Sequence, residues 1–261
     1  MATDLQLFRD ILSFDSTSGS ETALADFLAG VICADGTAPS LQTWDVPEGG
    51  RNLLFSWGEP RVVFCTHLDT VPPYIPPRFE GDVVFGRGAC DAKGQIVAML
   101  SACRALTANG LDGFGLLLLS GEETGSWGAK AFSKTGFTAP YLIVGEPTEG
   151  KMVSACKGTK AFELVFRGEA FHSGYPQFGS SAVDAFVDFV NALRELDFGM
   201  DPELGETTWN IGRLVSDNPQ NVLSPELRCR LYFRTTFLSD GRVAEEVKRI
   251  AGEAAAPEGV R

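Results

Sequence analysis

The chain has 261 residues, ordinary hydrophobic content of 44% and a net charge of −12, a balance that argues against nucleic acid or an anionic membrane as partner. No apolar run approaches the roughly 18–20 residues of a membrane span. The N-terminus, MATDLQLFRD, lacks the basic start and apolar core of a signal peptide, so a cytoplasmic protein is expected; six scattered cysteines without a CxxC pair fit reduced thiols.

In chain order, the periodicity predicts a first helix over residues 3–13, with Leu5, Phe8, Ile11 and Leu12 on one face. Ser18 and Glu21 have capping-box spacing ahead of a second helix that carries Leu24, Phe27, Leu28, Val31 and Ile32 and that Gly36 stops. Short apolar runs at 52–56, 61–66, 114–120 and 141–145 read as strands, the later three continuous enough to be buried on both faces. A helical pattern lies at 93–109 and a shorter one at 126–134. Strands alternating with helices predict an α/β fold, a sheet covered on both sides. After about residue 154 the pattern changes: TKAFELVFRGEA alternates with period two. A helix at 181–196, strands near 207–215 and 226–237 and a helix near 240–254 follow. The order β-α-β-β-α predicts a small one-sided α+β domain, ferredoxin-like but without its last strand. Two domains result, 1–154 and 155–261.

Ligands in α/β sheets bind just outside the carboxyl ends of the strands. Three such ends carry unusual residues: VVFCT runs into His67 and Asp69, GLLLLS into Glu122 and Glu123, and YLIVG into Glu146. Asp91 stands where the helix after GRGACDAKG begins. Carboxylates converging on one imidazole repel one another unless a cation sits among them, and mixed nitrogen and oxygen donors suit zinc or a similar divalent metal. His67 is then a ligand, and Asp69, two residues along an extended chain, holds its other ring nitrogen. Glu122 and Glu123, adjacent on an extended backbone, diverge. One ligand and one free carboxylate is the arrangement that metal-assisted hydrolysis needs. A nucleotide site is disfavoured, because GRGACDAKG is neither a P-loop nor a GxGxxG after a strand.

The stretches THLDTVPP, GRGACDAKG, SGEETGSWGAKA and GEPTEGKMVSACKG, followed by EAFHSG and NVLSPELRCRLYFR, resemble the motifs of the M20 metallopeptidases, a group that includes acetylornithine deacetylase, succinyl-diaminopimelate desuccinylase, aminoacylases and carboxypeptidases. The resemblance implies a catalytic domain with a mixed sheet, a lid domain that also forms a homodimer contact, and two zinc ions, with cobalt as a substitute. Asp91 would bridge the ions, His67 and Glu146 would complete one site and Glu123 would ligate the other. Glu122 would be the general acid/base and Asp69 would orient His67. In the lid, His172 would steady the oxyanion, while Arg234 and Asn221 would face the substrate, an N-acyl amino acid. The family's further C-terminal histidine has no counterpart after His172, nor do the last lid strand and the returning catalytic segment. One tight zinc and an incomplete chain are therefore expected. The reading is an acetylornithine deacetylase-like amidohydrolase; the alternatives are an M20 dipeptidase or carboxypeptidase, or a non-catalytic metal-binding scaffold.

Overall fold

The computed structural model describes residues 4–81 and 83–254, so the expected helix start at residue 3 and the last seven residues of the second domain lie outside the described residues. The chain divides into two units, Met1–Lys151 and Met152–Arg261.

The first unit runs α1 (Asp4–Leu12), α2 (Thr22–Cys33), β1 (Ser40–Asp45), β2 (Arg51–Trp57), β3 (Val62–His67), β4 (Arg78–Glu80), β5 (Val83–Phe85), α3 (Lys93–Ala108), β6 (Phe114–Leu119), α4 (Trp127–Phe132) and β7 (Tyr141–Val144). Five of the strands form one mixed sheet in the order β1-β2-β6-β3-β7. β1, β2 and β6 pair antiparallel, whereas β3 lies parallel to both β6 and β7. One face carries the main core, in which Leu53, Phe55, Leu116 and Leu118 meet Ile11 of α1, Leu28 of α2 and Leu100 of α3. Each helix presents these residues at three- or four-residue spacing, the stripe a sheet-facing helix requires. Burial of this kind is the dominant favourable term in folding. The other face holds a smaller cluster, Leu54, Val63, Cys65 and Leu117, with Phe132 of α4 against it.

The strand expectations need correction at β7 and β1, and the two-stranded pair of β4 and β5 was not expected either. β7 was expected to be buried on both faces, but Tyr141, Leu142, Ile143 and Val144 are 64%, 59%, 48% and 57% exposed. It is the edge strand, paired on one side only, and an apolar run reads the same at an edge as at the centre of a sheet. β1 was not foreseen. Its SLQTWD sequence buries no residue fully, so it lacks the apolar signal of a strand and is recruited by its ladder to β2.

The second unit contains β8 (Gly158–Arg167), α5 (Ala182–Arg194), the short hairpin β9 (Met200–Asp201) and β10 (Gly205–Glu206), β11 (Thr208–Val215), β12 (Glu226–Thr235) and α6 (Val243–Ala254). β11, β12 and β8 form an antiparallel sheet in that order. β12 alternates with period two: Leu227, Cys229, Leu231 and Phe233 are buried, while Arg228, Arg230, Tyr232 and Arg234 are exposed. α5 and α6 cover the apolar face through Phe189, Leu193, Val243, Val247 and Ile250. Ser181 starts α5 by accepting a hydrogen bond from the Val183 amide.

Candidate metal centre

Because β3, β6 and β7 are parallel, their carboxyl ends lie on the same side of the sheet, with His67 opposite Leu119 in the ladder. The chain leaves β3 through His67 and Asp69, β6 through Ser120 to Glu123, and β7 through Gly145 and Glu146. Asp91 sits two residues before α3. The His67 side chain is only 2% exposed, and its Nε2 lies 2.9 Å from Asp91 Oδ1 and 3.8 Å from Glu146 Oε2. One donor atom from each of His67, Asp91 and Glu123 falls within 4.8 Å of the others. Glu146 borders this trio through His67.

The opposite ring nitrogen decides which side of the imidazole can bind a cation. Nδ1 lies 2.9 Å from the Asp69 carbonyl oxygen and 3.4 Å from Asp69 Oδ1. Both are acceptors, so Nδ1 carries a proton and the Nε2 lone pair of the neutral ring faces the acids. The donor set thus fits a divalent cation: one oriented imidazole with carboxylates on its Nε2 side.

The charges agree. Burial alone favours neutral His67, but the hydrogen bond and charge of Asp69 and the charges of Glu146 and Asp91 overcome it and push the ring up to about 9. Burial raises the Glu123 carboxyl, and Asp91, Glu122 and Asp69 raise it further against the opposing pull of His67. Glu146 is raised by burial first, with His67 opposing and Asp91, Glu122 and Glu123 adding to the rise. The acids stabilise a second ring proton on His67, and a divalent cation would take that proton's place.

Asp69 does more than face His67. It is fully buried, and its carboxylate accepts hydrogen bonds from Ser18 Oγ at 2.8 Å and from the amides of Glu122 and Glu123 at 2.9 and 3.1 Å. Burial works against its charge, but His67, Ser18 and the two amides prevail and hold it below the usual carboxylate range. Glu122 and Glu123 are therefore not on extended backbone, as expected, but in a turn closed by the Gly125 and Ser126 amides on the Glu122 carbonyl. Glu123 is half-buried and Glu122 exposed.

The capping-box expectation also fails. Ser18 Oγ goes to Asp69, and Glu21, although it is the N-cap residue of α2, makes no side-chain capping bond. Its fully buried carboxylate accepts from the Gly121 and Gly19 amides, at 3.0 and 2.9 Å. Sequence reasoning assigned both residues to a helix start and missed their place at the site, because their partners are 51 and 100 residues away.

The start of the glutamate turn is fixed by close packing at Gly128. Asn52 Nδ2 donates to the Gly128 carbonyl at 2.8 Å and Asn52 Oδ1 accepts from the Ser120 amide at 3.0 Å. A Cβ on Gly128 would meet the Ser120 carbonyl, lie 2.5 Å from Asn52 Oδ1 and lie 2.7 Å from Ser120 N. Gly128→Ala is expected to lower stability by about 1–3 kcal/mol, the cost of overpacking a filled site. Urea denaturation of the metal-free chain checks this, and an unchanged midpoint would mean that the turn can yield without loss.

In the second unit, His172 and Asn221 are brought together. His172 bridges to Val222, and the Ser173 amide donates to the Asn221 carbonyl at 2.9 Å. His172 Nδ1 accepts from the Gly174 amide at 3.1 Å, and both residues are exposed. Arg234 stands apart on β12, its guanidinium 6.0 Å from the Tyr232 ring and without a hydrogen bond or ion pair among the described residues.

A mixed sheet with an imidazole and carboxylates gathered at the ends of its parallel strands places a candidate cation site where α/β proteins bind their ligands. The chain belongs to peptidase family M20/M25/M40, whose model matches residues 63–256. A peptidase M20 domain-containing protein of Schizosaccharomyces pombe is 32% identical over 254 residues, covering 94% of this chain and 62% of its own. A protein of Aspergillus oryzae named as a probable carboxypeptidase is 32% identical over 281 residues, covering 96% and 65%. The chain thus spans less than two thirds of the length of these relatives. Among solved structures, the aminopeptidase PepT of Bacillus cereus superposes with a TM-score of 0.75 at 21% identity, over 97% of this chain and 71% of that one; at that identity the likeness shows the fold alone. Among the described residues no helix is long and apolar enough to cross a membrane.

Proposed function

We propose that this protein is a metal-dependent hydrolase that cleaves an amide bond in a small peptide, of carboxypeptidase or dipeptidase type. The observation that carries the reading is the site itself: His67, Asp91 and Glu123 within 4.8 Å of one another, with Glu122 exposed on the same turn. His67, Asp91 and Glu146 would hold one zinc ion, and Asp91 and Glu123 would serve a second. A bound cation supplies Lewis acidity, lowering the pKa of water and polarising a carbonyl. Glu122 then takes a proton from the attacking water and returns it to the leaving amine nitrogen. Asp69 keeps the proton of His67 on Nδ1 and anchors the turn that carries Glu122.

The second unit would act as the lid and the homodimer contact. His172 would donate to the oxyanion of the tetrahedral intermediate, and Arg234, whose guanidinium makes no hydrogen bond or ion pair among the described residues, would take a substrate carboxylate bidentately, with Asn221 beside the substrate. A terminal carboxylate is common to peptides and N-acyl amino acids. The name of the Aspergillus oryzae relative favours the peptide over the acetylornithine deacetylase-like reading.

The test has two arms. After zinc loading and dialysis, the chain is expected to retain about one ion, since His67, Asp91 and Glu146 leave an open fourth position, whereas Asp91 and Glu123 offer a second ion no imidazole. The zinc-loaded protein is then assayed on N-blocked dipeptides with a free C-terminus, on unblocked dipeptides and on N-acetylornithine. Release of the C-terminal residue supports the carboxypeptidase reading, and turnover of N-acetylornithine alone replaces it with the deacylase. Failure to retain any divalent ion removes the metal site and with it the proposal.

A further inference from the structure

The segment between α1 and α2 touches three loops that bear the proposed ligands, and two of its residues, Ser16 and Glu21, are buried there. The Phe14 carbonyl accepts from Lys93 Nζ at 2.8 Å, two residues beyond Asp91. Ser16 Oγ donates to the Leu68 carbonyl at 2.9 Å, and Ser18 Oγ to Asp69 Oδ2 at 2.8 Å, both just beyond His67. Glu21 Oε1 accepts from the Gly121 amide at 3.0 Å, immediately before the Glu122–Glu123 turn. Main-chain bonds between residues 16–18 and Thr70 run alongside: the Thr70 amide donates to Ser16 at 3.0 Å and the Ser18 amide to Thr70 at 3.2 Å. Ser16, Glu21 and Asp69 are 0% exposed and Lys93 is 1% exposed.

We infer that residues 14–21 form a brace that positions the metal ligands, with Glu21 its main positioning residue for the Glu123 turn. The inference rests on the metal-centre reading given above. A buried carboxylate is expensive to keep without a cationic partner; Glu21 has none among the described residues, and it also lies near the charge of Asp69. A side chain needed only to start α2 would bond to that helix, yet the Glu21 side chain makes no capping bond and reaches across to Gly121. Ligand atoms must be held to within roughly 0.5 Å to bind a cation well, and that precision comes from the groups behind them. Through the Gly121 amide, Glu21 fixes the entry to the turn whose next two amides are held by Asp69.

The experiment measures Co2+ binding by the full 261-residue chain, with affinity taken from chelator competition and ligand geometry from the visible absorption spectrum. Glu21→Gln keeps the size and one acceptor but places a donor against an amide. It is expected to weaken Co2+ binding about 10–100-fold, the usual cost of losing a group behind a ligand, and to change the spectrum, while the circular dichroism of the metal-free chain stays that of wild type. In a Glu123→Gln background the same substitution is expected to cost little more, because both act on one turn. Ser18→Ala, a smaller change in the same segment, carries the same expectation should Glu21→Gln fail to fold. Unchanged affinity and spectrum in a folded Glu21→Gln protein would overturn the brace alone, as would full additivity with Glu123→Gln. Absence of Co2+ binding by the wild-type chain would instead overturn the metal-centre reading, and the brace with it.

Discussion

Glu122→Gln is expected to lower amide hydrolysis by about 10²–10⁴-fold, the contribution of a positioned general acid/base, while leaving bound metal in place. The substitution keeps the side chain's size and removes its ability to accept a proton. Glu122 is exposed and stands outside the trio of His67, Asp91 and Glu123, so no proposed ligand is lost. Its backbone amide still donates to Asp69, so the turn that presents Glu123 should hold. Turnover by the metal-loaded protein, with metal content measured on the same sample, checks both halves. Parallel loss of metal and activity would mean that Glu122 is a ligand and that Glu123 is the free carboxylate.

His67→Ala is expected to weaken divalent-ion binding by more than the roughly 10–100-fold that follows loss of an outer partner, and to abolish any metal-dependent turnover. His67 is the sole imidazole of the trio, and its Nε2 faces Asp91 and Glu146 at 2.9 and 3.8 Å. Without it, Asp91, Glu123 and Glu146 are left as oxygen donors that repel one another and must reorganise around an ion. Asp69 keeps its bonds to Ser18 and to the Glu122 and Glu123 amides, so the turn itself is expected to survive. Competition with a chelator of known affinity measures the loss; an unchanged affinity would show that the acids alone hold the ion and that His67 serves the fold.

Parts of the site were legible because they are local in sequence. An apolar run that ends in a histidine or in paired glutamates marks the carboxyl end of a buried strand, and β3 and β6 form where those runs lie. The helix after Asp91 likewise follows from its own periodicity. Illegible parts depended on distant partners. Ser18 and Glu21 satisfy the spacing of a capping box, and no local signal separates that use from the contacts they make with Asp69 and Gly121. β7 is as apolar as β3, yet it lies at the edge of the sheet and stays exposed.

The sequence by itself determined which groups stand at the ends of the strands, because side-chain periodicity and apolar runs are properties of neighbouring residues. It also determined the order of the longer apolar strands and of the helices, and with it the α/β class of the first unit and the α+β character of the second, although the short strands β1, β4, β5, β9 and β10 carried no such signal. Only the tertiary structure decided which acids meet and which groups hold them. The parallel pairing of β3 with β6 and β7 brings three strand ends together. The packing of the α1–α2 connection against them turns Asp69 into the anchor of the glutamate turn and Glu21 into its neighbour. Such contacts join segments 51 and 100 residues apart, and their distances are set by the packing of the whole core rather than by the residues on either side.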